Sequence, residues 1–243
     1  CFLTYNYASQ GGAVYVAEDV KDVNNNISLI SQCVAYNNAA GERSVEENAG
    51  GGFYIAGEAT AANTSAFNNE KGGMRISPEA TVTNCTVARN TGAGIDLTKD
   101  DHTQNVQNTI IWGNTTLSLQ YQPTFRYSAF HEVEDDDSNN NIYVSDKNRD
   151  KEYGPFFDAP SLSTGFDREY NGENTNYPTW SWDILEGTVM VNKGNSNFYN
   201  QAAYGNEDIK GRPRISGDNI DIGAQEYQFL PTSRRRYVKE GAT

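Results

Sequence analysis

Five short stretches of this 243-residue chain end in an asparagine five positions after they begin: Cys1–Asn6, Cys33–Asn38, Thr64–Asn69, Cys85–Asn90 and Thr109–Asn114. The last three asparagines are spaced 21 and 24 residues apart, and Gly52, Gly73 and Gly94 recur every 21. A fixed period of this size is the mark of stacked repeats. It is too short for helical repeats, which need roughly 33 to 47 residues to hold two helices. It leaves room for two or three strands of about 4–6 residues and their turns. The local composition agrees. Ala13–Val16, Gly52–Ile55, Gly73–Ile76 and Ala93–Leu97 read as one strand seen four times, and Ala80–Val87 and Val106–Trp112 as another. These runs are β-branched, alternating and bounded by Gly and Asn. No apolar stripe of helical period competes with them. The expected fold is all-β, a parallel β-solenoid with each turn of chain about 4.8 Å above the last.

In such a stack equivalent residues lie above one another, so the repeats predict columns. Cys1, Cys33, Thr64, Cys85 and Thr109 form an inward column of small, fairly apolar groups. Asn6, Asn38, Asn69, Asn90 and Asn114 form a second, at a turn where Asn tolerates left-handed backbone and its amide can bond to its neighbours above and below. Gln32, Asn63, Asn84 and Asn108 form a third. Structural roles are preferred for all of them over ligand binding, and the glycines are read as allowing tight turns.

Three cysteines do not make a disulfide framework. Buried free thiols are expected, behaving as small hydrophobes. Cys1 could be a lipoprotein anchor, but Phe2-Leu3-Thr4-Tyr5-Asn6 follows it in place of a polar linker, and it falls in the inward column. It is therefore read as lying within a longer solenoid, with earlier turns upstream. No signal peptide or transmembrane run is visible in the chain. The net charge of −13 argues against nucleic-acid binding, which needs a basic footprint. Arg234-Arg235-Arg236 reads as solvated tail.

The repeats fade after Asn114. Four regions are expected: solenoid turns over 1–114, a loop-rich continuation over 115–155, a C-terminal cap over 156–227 that closes the open end of the stack, and an exit tail over 228–243. An open stack leaves unpaired strand edges and exposed core, so a cap is required. Phe156-Phe157, Trp180 and Trp182 supply aromatic bulk for it, and Asp221 and Arg214 are expected to pair inside it. The segment Asp208-Ile209-Lys210-Gly211-Arg212-Pro213-Arg214-Ile215 is followed closely by Asp221-Ile222-Gly223-Ala224-Gln225-Glu226. That combination is similar to the closing signature of choice-of-anchor Q domain proteins. Asn84–Asn90, Gly94-Ile95-Asp96 and Leu185–Gly194 also resemble that family. The resemblance implies a right-handed parallel β-helix of pectate-lyase-like fold, secreted or on the surface of Bacteroidetes. No functional residue carries over from it.

Chemical motifs are sparse. The histidines are His102 and His131, both in polar stretches, and no zinc-binding, nucleophile-elbow, Walker or dinucleotide motif is present. No cofactor is expected. Calcium is the one metal considered, through the acidic run Glu132–Asp137 or the single partial match Thr91–Asp96 to the Gly-Gly-x-Gly-x-Asp repeat; solvated loop and turn are the preferred readings. Arg75 and Asp96 sit at equivalent repeat positions and are expected to touch as a ladder pair. Surface tyrosines could stack on sugars, while Trp180 and Trp182 are assigned to the cap. The leading expectation is a non-catalytic secreted or outer-membrane surface protein, a binding module or accessory lipoprotein for glycan, peptide or a partner protein. The alternative is a polysaccharide lyase or glycoside hydrolase acting on an acidic polysaccharide.

Overall fold

The computed structural model describes residues 1–17, 27–41, 50–99, 106–116, 121–131, 139–144, 184 and 188–229. Strands recur in threes along the chain. The first set is β1 (Phe2–Thr4), β2 (Tyr7–Ala8) and β3 (Val14–Val16). Next come β4 (Ser28–Ser31), β5 (Val34–Tyr36) and β6 (Ala39–Ala40). Then follow β7 (Phe53–Ile55), β8 (Ala59–Ala62) and β9 (Ser65–Phe67), then β10 (Met74–Ile76), β11 (Thr81–Thr83) and β12 (Thr86–Ala88). After these lie β13 (Ile95–Leu97), β14 (Val106–Gln107) and β15 (Ile110–Trp112). The last are β16 (Phe125–Arg126), β17 (Ala129–His131) and β18 (Ile142–Val144).

Every one of these strands pairs in parallel with its counterpart from a neighbouring repeat. One sheet runs β1-β5-β9-β12-β15-β17-β18, a second β4-β8-β11-β14-β16, a third β3-β7-β10-β13, and β2 pairs with β6. The register is the repeat itself. Phe2, Val34, Ser65, Thr86, Ile110, Ala129 and Ile142 follow one another across the first sheet. Alternate residues of the three large sheets point into one apolar core: Ala66, Val87 and Ile111 from the first, Ala61, Val82 and Val106 from the second, Phe53, Met74 and Ile95 from the third. The chain is thus all-β with parallel sheets. Strands this short, two to four residues, form because each backbone has a copy of itself on either side.

Past Asn114, where a loop-rich continuation is expected, β16, β17 and β18 extend the sheets to Val144. The column step shrinks there to 19 residues at Ser128 and 13 at Asn141, and the turn asparagine is lost. One expectation changes, and it concerns the cap. The described part of 156–227 does not sit over an end of the stack. Residues 188–229 lie lengthwise along its side, touching Gln32, Asn63, Asn84 and Asn108 in successive layers. They cover the outer face of the first sheet. Val34, Tyr36, Phe67, Ile110 and Trp112 on that face join Ile184, Met190 and Ile222 in a second apolar cluster. Large apolar side chains on the outward face of β5, β9 and β15, with Ala88 of β12 between them, demand lateral cover. Trp180, Trp182 and the tail from 230 lie outside the described residues, as does the acidic run Glu132–Asp137.

Candidate functional site

The asparagine column is a continuous ladder. Asn6 donates from its backbone N and its Nδ2 to Asn38 Oδ1, both at 2.9 Å. Asn38 does the same to Asn69 Oδ1 at 3.0 Å, Asn69 to Asn90 at 2.9 Å, and Asn90 to Asn114 at 3.0 and 2.9 Å. The second amide hydrogen goes the other way, to a carbonyl of the preceding layer: Asn38 to Leu3, Asn69 to Ala35, Asn90 to Ala66, Asn114 to Val87. The left-handed residue of this turn is not the asparagine. It is the residue before it: Tyr5, Asn37, Asn68, Arg89 and Gly113 all have φ between 53° and 58°. The asparagine is chosen for its amide alone.

The recurring glycines also serve a different end. Gly73 and Gly94 are not in the left-handed region; a Cβ on Gly73 would meet Val87 and, at 2.6 Å, Asn90 Nδ2, and one on Gly94 would meet Asn114 Nδ2 at 2.9 Å. They make room for the ladder amides.

The inward column is a row of donors as well as small groups. Thr64 Oγ1 donates to the Ala62 carbonyl at 3.0 Å, Cys85 Sγ to Thr83 at 3.3 Å, Thr109 Oγ1 to Gln107 at 2.7 Å and Cys33 Sγ to Ser31 at 3.3 Å. Each closes the left-handed turn that precedes it, at Gln32, Asn63, Asn84 or Asn108. Thr64 and Cys85 also reach carbonyls one layer back, Ile30 and Ala61. Ser128 and Asn141, passed over in the sequence, hold the next two places. Cys1 stands first, exposed, with its amino group donating to the Gln32 carbonyl at 2.7 Å. All three cysteines are free thiols. Burial pushes the Cys85 thiol up to about 12, so it stays protonated and unreactive.

On the outer face of the third sheet Tyr15, Tyr54, Arg75 and Asp96 occupy one row. Tyr15 and Tyr54 stack with centroids 5.3 Å apart, and the Arg75 guanidinium lies 5.9 Å from the Tyr54 ring centre. Tyr15 is half exposed, whereas Arg75 and Asp96 are buried. Asp96 Oδ1 accepts from the Tyr121 backbone N at 3.1 Å. The carboxylate of the partial calcium match is therefore engaged within the fold. Among the described residues no group of three or more His, Cys, Asp or Glu side chains comes together as a metal site. His102 lies outside the described residues. No described helix is long and apolar enough to cross a membrane.

The richest polar constellation lies in residues 188–229, which hold one 3-10 turn (Ser196–Phe198), one short α-helix, α1 (Gln201–Tyr204), and otherwise irregular backbone. Here buried carboxylates take the place of a strand ladder. Asp208 accepts from the backbone N of Lys210, Arg212 and Glu226, and from Arg212 Nε and Nη2 at 2.9 and 2.7 Å. Asp221 accepts from Asn192 N and Tyr227 N, both at 2.6 Å. Glu226 accepts from Ser216 N and Asp221 N, both at 3.1 Å. Arg214, fully buried, donates from Nη2 to the carbonyls of Asp221 at 3.0 Å and Gly223 at 2.7 Å, and lies 5.8 Å from the Tyr199 ring centre. The expected Arg214–Asp221 pairing thus runs through the main-chain oxygen, because the carboxylate is spent on backbone N–H groups.

The third column, read in the sequence only as structural, receives this segment. Gln32, Asn63, Asn84 and Asn108 donate side-chain amide hydrogens to the carbonyls of Asp208, Glu207, Asp221 and Asn195 at 3.0–3.2 Å. Asn195 N returns a bond to Asn108 Oδ1, and Ala224 N bonds Thr86 Oγ1. Gly223, with φ +105°, sits where a Cβ would meet Ile110 Cδ1 at 2.6 Å. These contacts fix the backbone of the Asp221–Glu226 segment. No family model, curated protein or solved structure matches the chain.

Proposed function

We propose that the chain is part of a right-handed parallel β-helix, a solenoid of the choice-of-anchor Q kind. In this reading it is a non-catalytic secreted or cell-surface binding module, whose ligand is a glycan. The fold reading is supported by three parallel sheets that share one core and one register. The family reading rests on the two closing motifs and on the work they do in clasping the segment to the stack. The observation that carries the functional reading is the Tyr15–Tyr54 stack on the outer face of the third sheet, which presents aromatic surface while the repeat positions around it serve the scaffold. Aromatic side chains of this sort give sugars an apolar contact at low entropic cost. The test is a glycan array with the full-length protein, followed by titration calorimetry on any hit. Tyr15→Ala and Tyr54→Ala should each weaken binding about two- to tenfold, the loss of one stacking contact of roughly 0.5–1.5 kcal/mol. Unsaturated-uronate absorbance that grows with wild type and vanishes with Arg75→Ala would replace this reading with the lyase alternative.

A further inference from the structure

The clasp formed by residues 188–229 contains more buried negative charge than positive. Asp208 is matched at contact distance by Arg212. Among the described residues Arg214 is the guanidinium left to face two further carboxylates, Asp221 and Glu226, and it spends Nη2 on main-chain carbonyls. Both carboxylates are held by neutral backbone N–H groups, and all three residues are almost wholly buried. Among the described residues the stack faces the clasp with the uncharged Asn84, Thr86, Asn108 and Ile110, and Arg212, already paired with Asp208, adds a lesser pull on Asp221. Tyr199 and Cys85, also within electrostatic range of Arg214, are neutral when protonated. An uncompensated buried charge is costly, and two neighbouring buried acids relieve it when one of them stays protonated.

We propose that the docked clasp holds one proton, carried by Glu226, and that docking of residues 188–229 on the stack is therefore proton-linked: tight in acid, looser in alkali. Burial supports the assignment. It raises Glu226 from the usual carboxylate range to about 8, with Arg214 pulling down and Asp221 pushing up, and it raises Asp221 in the same direction. A carboxyl raised on docking contributes its stability in full below its ordinary value of 4.5 and loses it as pH climbs through about 8. The linkage is thus opposite in sign to that of a salt-bridged surface carboxylate such as Glu79, which Lys99 lowers.

The experiment is hydrogen–deuterium exchange on the full chain at pH 5.5 and 8, corrected for intrinsic rates, with β9 and β12 as the internal reference. Protection of the Ser216, Asp221 and Tyr227 amides should fall at least about tenfold relative to those strands, since one linked proton gives up to tenfold per pH unit. Glu226→Gln, uncharged at every pH, should flatten the dependence. An unchanged protection ratio in wild type, or the same pH dependence in Glu226→Gln, overturns the proposal. Should Glu226→Gln fail to dock, difference infrared spectra of the wild type decide. A carboxylic-acid carbonyl band that titrates near pH 8 supports the proposal, and complete ionisation below pH 6 overturns it.

Discussion

The stacked strands and the C-terminal clasp meet the same demand with different means. Both bury backbone N–H groups, and such groups are almost never left unpaired. In the stack each N–H finds the carbonyl of a neighbouring repeat, and the turns are joined by the Asn38–Asn69–Asn90 ladder. The same short solution is used many times, so each position needs little chemical individuality. Residues 188–229 have no copies to pair with. Three carboxylates, Asp208, Asp221 and Glu226, each gather two or three N–H groups from separate points of an irregular chain. Repetition makes the stack tolerant in composition but dependent on register. The clasp is intolerant at a handful of charged residues and owes its sensitivity to pH to them.

The comparison breaks most sharply with a charge placed in the stack. Cys85→Asp puts a carboxylate where the thiol is fully buried among Ala61, Thr83 and the core. The carboxylate would face the two carbonyl oxygens to which the thiol donates, so loss of the folded stack is expected. Circular dichroism and a thermal melt check it; a melting temperature equal to wild type would place residue 85 outside the core. Next in size is Asp208→Ala. It leaves the Lys210, Arg212 and Glu226 N–H groups and the Arg212 guanidinium without their acceptor. Removing one member of a buried pair costs about 3–5 kcal/mol. The loss should appear as local release of 188–229, seen as exchange of its amides, with β9 and β12 still protected. Simultaneous loss of both regions would show that clasp and stack fold as one cooperative unit.

How much of this was readable in the sequence follows the same division. Stacked repeats write themselves out several times, so the period, the columns and the all-β class could be read directly from Asn69, Asn90, Asn114 and the glycines. Their roles were harder. The Asn column is legible as amides bonded above and below, but the left-handed turn assigned to it belongs to the residue before, and the glycines read as tight turns because Gly favours φ > 0; only three dimensions reveal that Gly73 yields space to the amide. Past Asn114 the step shortens, and Ser128 and Asn141 replace the Cys/Thr letters, so the pattern no longer repeats in sequence although it persists in space. The clasp occurs once. Nothing in Asp208, Arg214 or Glu226 announces partners in a segment without regular secondary structure, and the amides of Gln32, Asn63, Asn84 and Asn108 gave no hint that another segment lies across them.

The smallest expected effect lies in a single rung of the ladder, and it measures how far the stack depends on each copy. Asn69→Ala removes two accepted and two donated hydrogen bonds at a fully buried position. Two of the orphaned partners, the Asn38 backbone N and the Ala35 carbonyl, have no water to turn to. Unpaired buried groups cost about 1–3 kcal/mol each at most, and part is recovered as the neighbouring rungs relax. A net loss of about 1–3 kcal/mol in denaturant titration is therefore expected, less than for Asp208→Ala. Asn6→Ala, on the exposed end rung, should cost less again, because water replaces the missing partner. Equal losses for Asn6→Ala and Asn69→Ala would mean that burial does not set the strength of the ladder. A loss at Asn69 as large as that at Asp208 would mean that repetition gives the stack none of the tolerance argued for it.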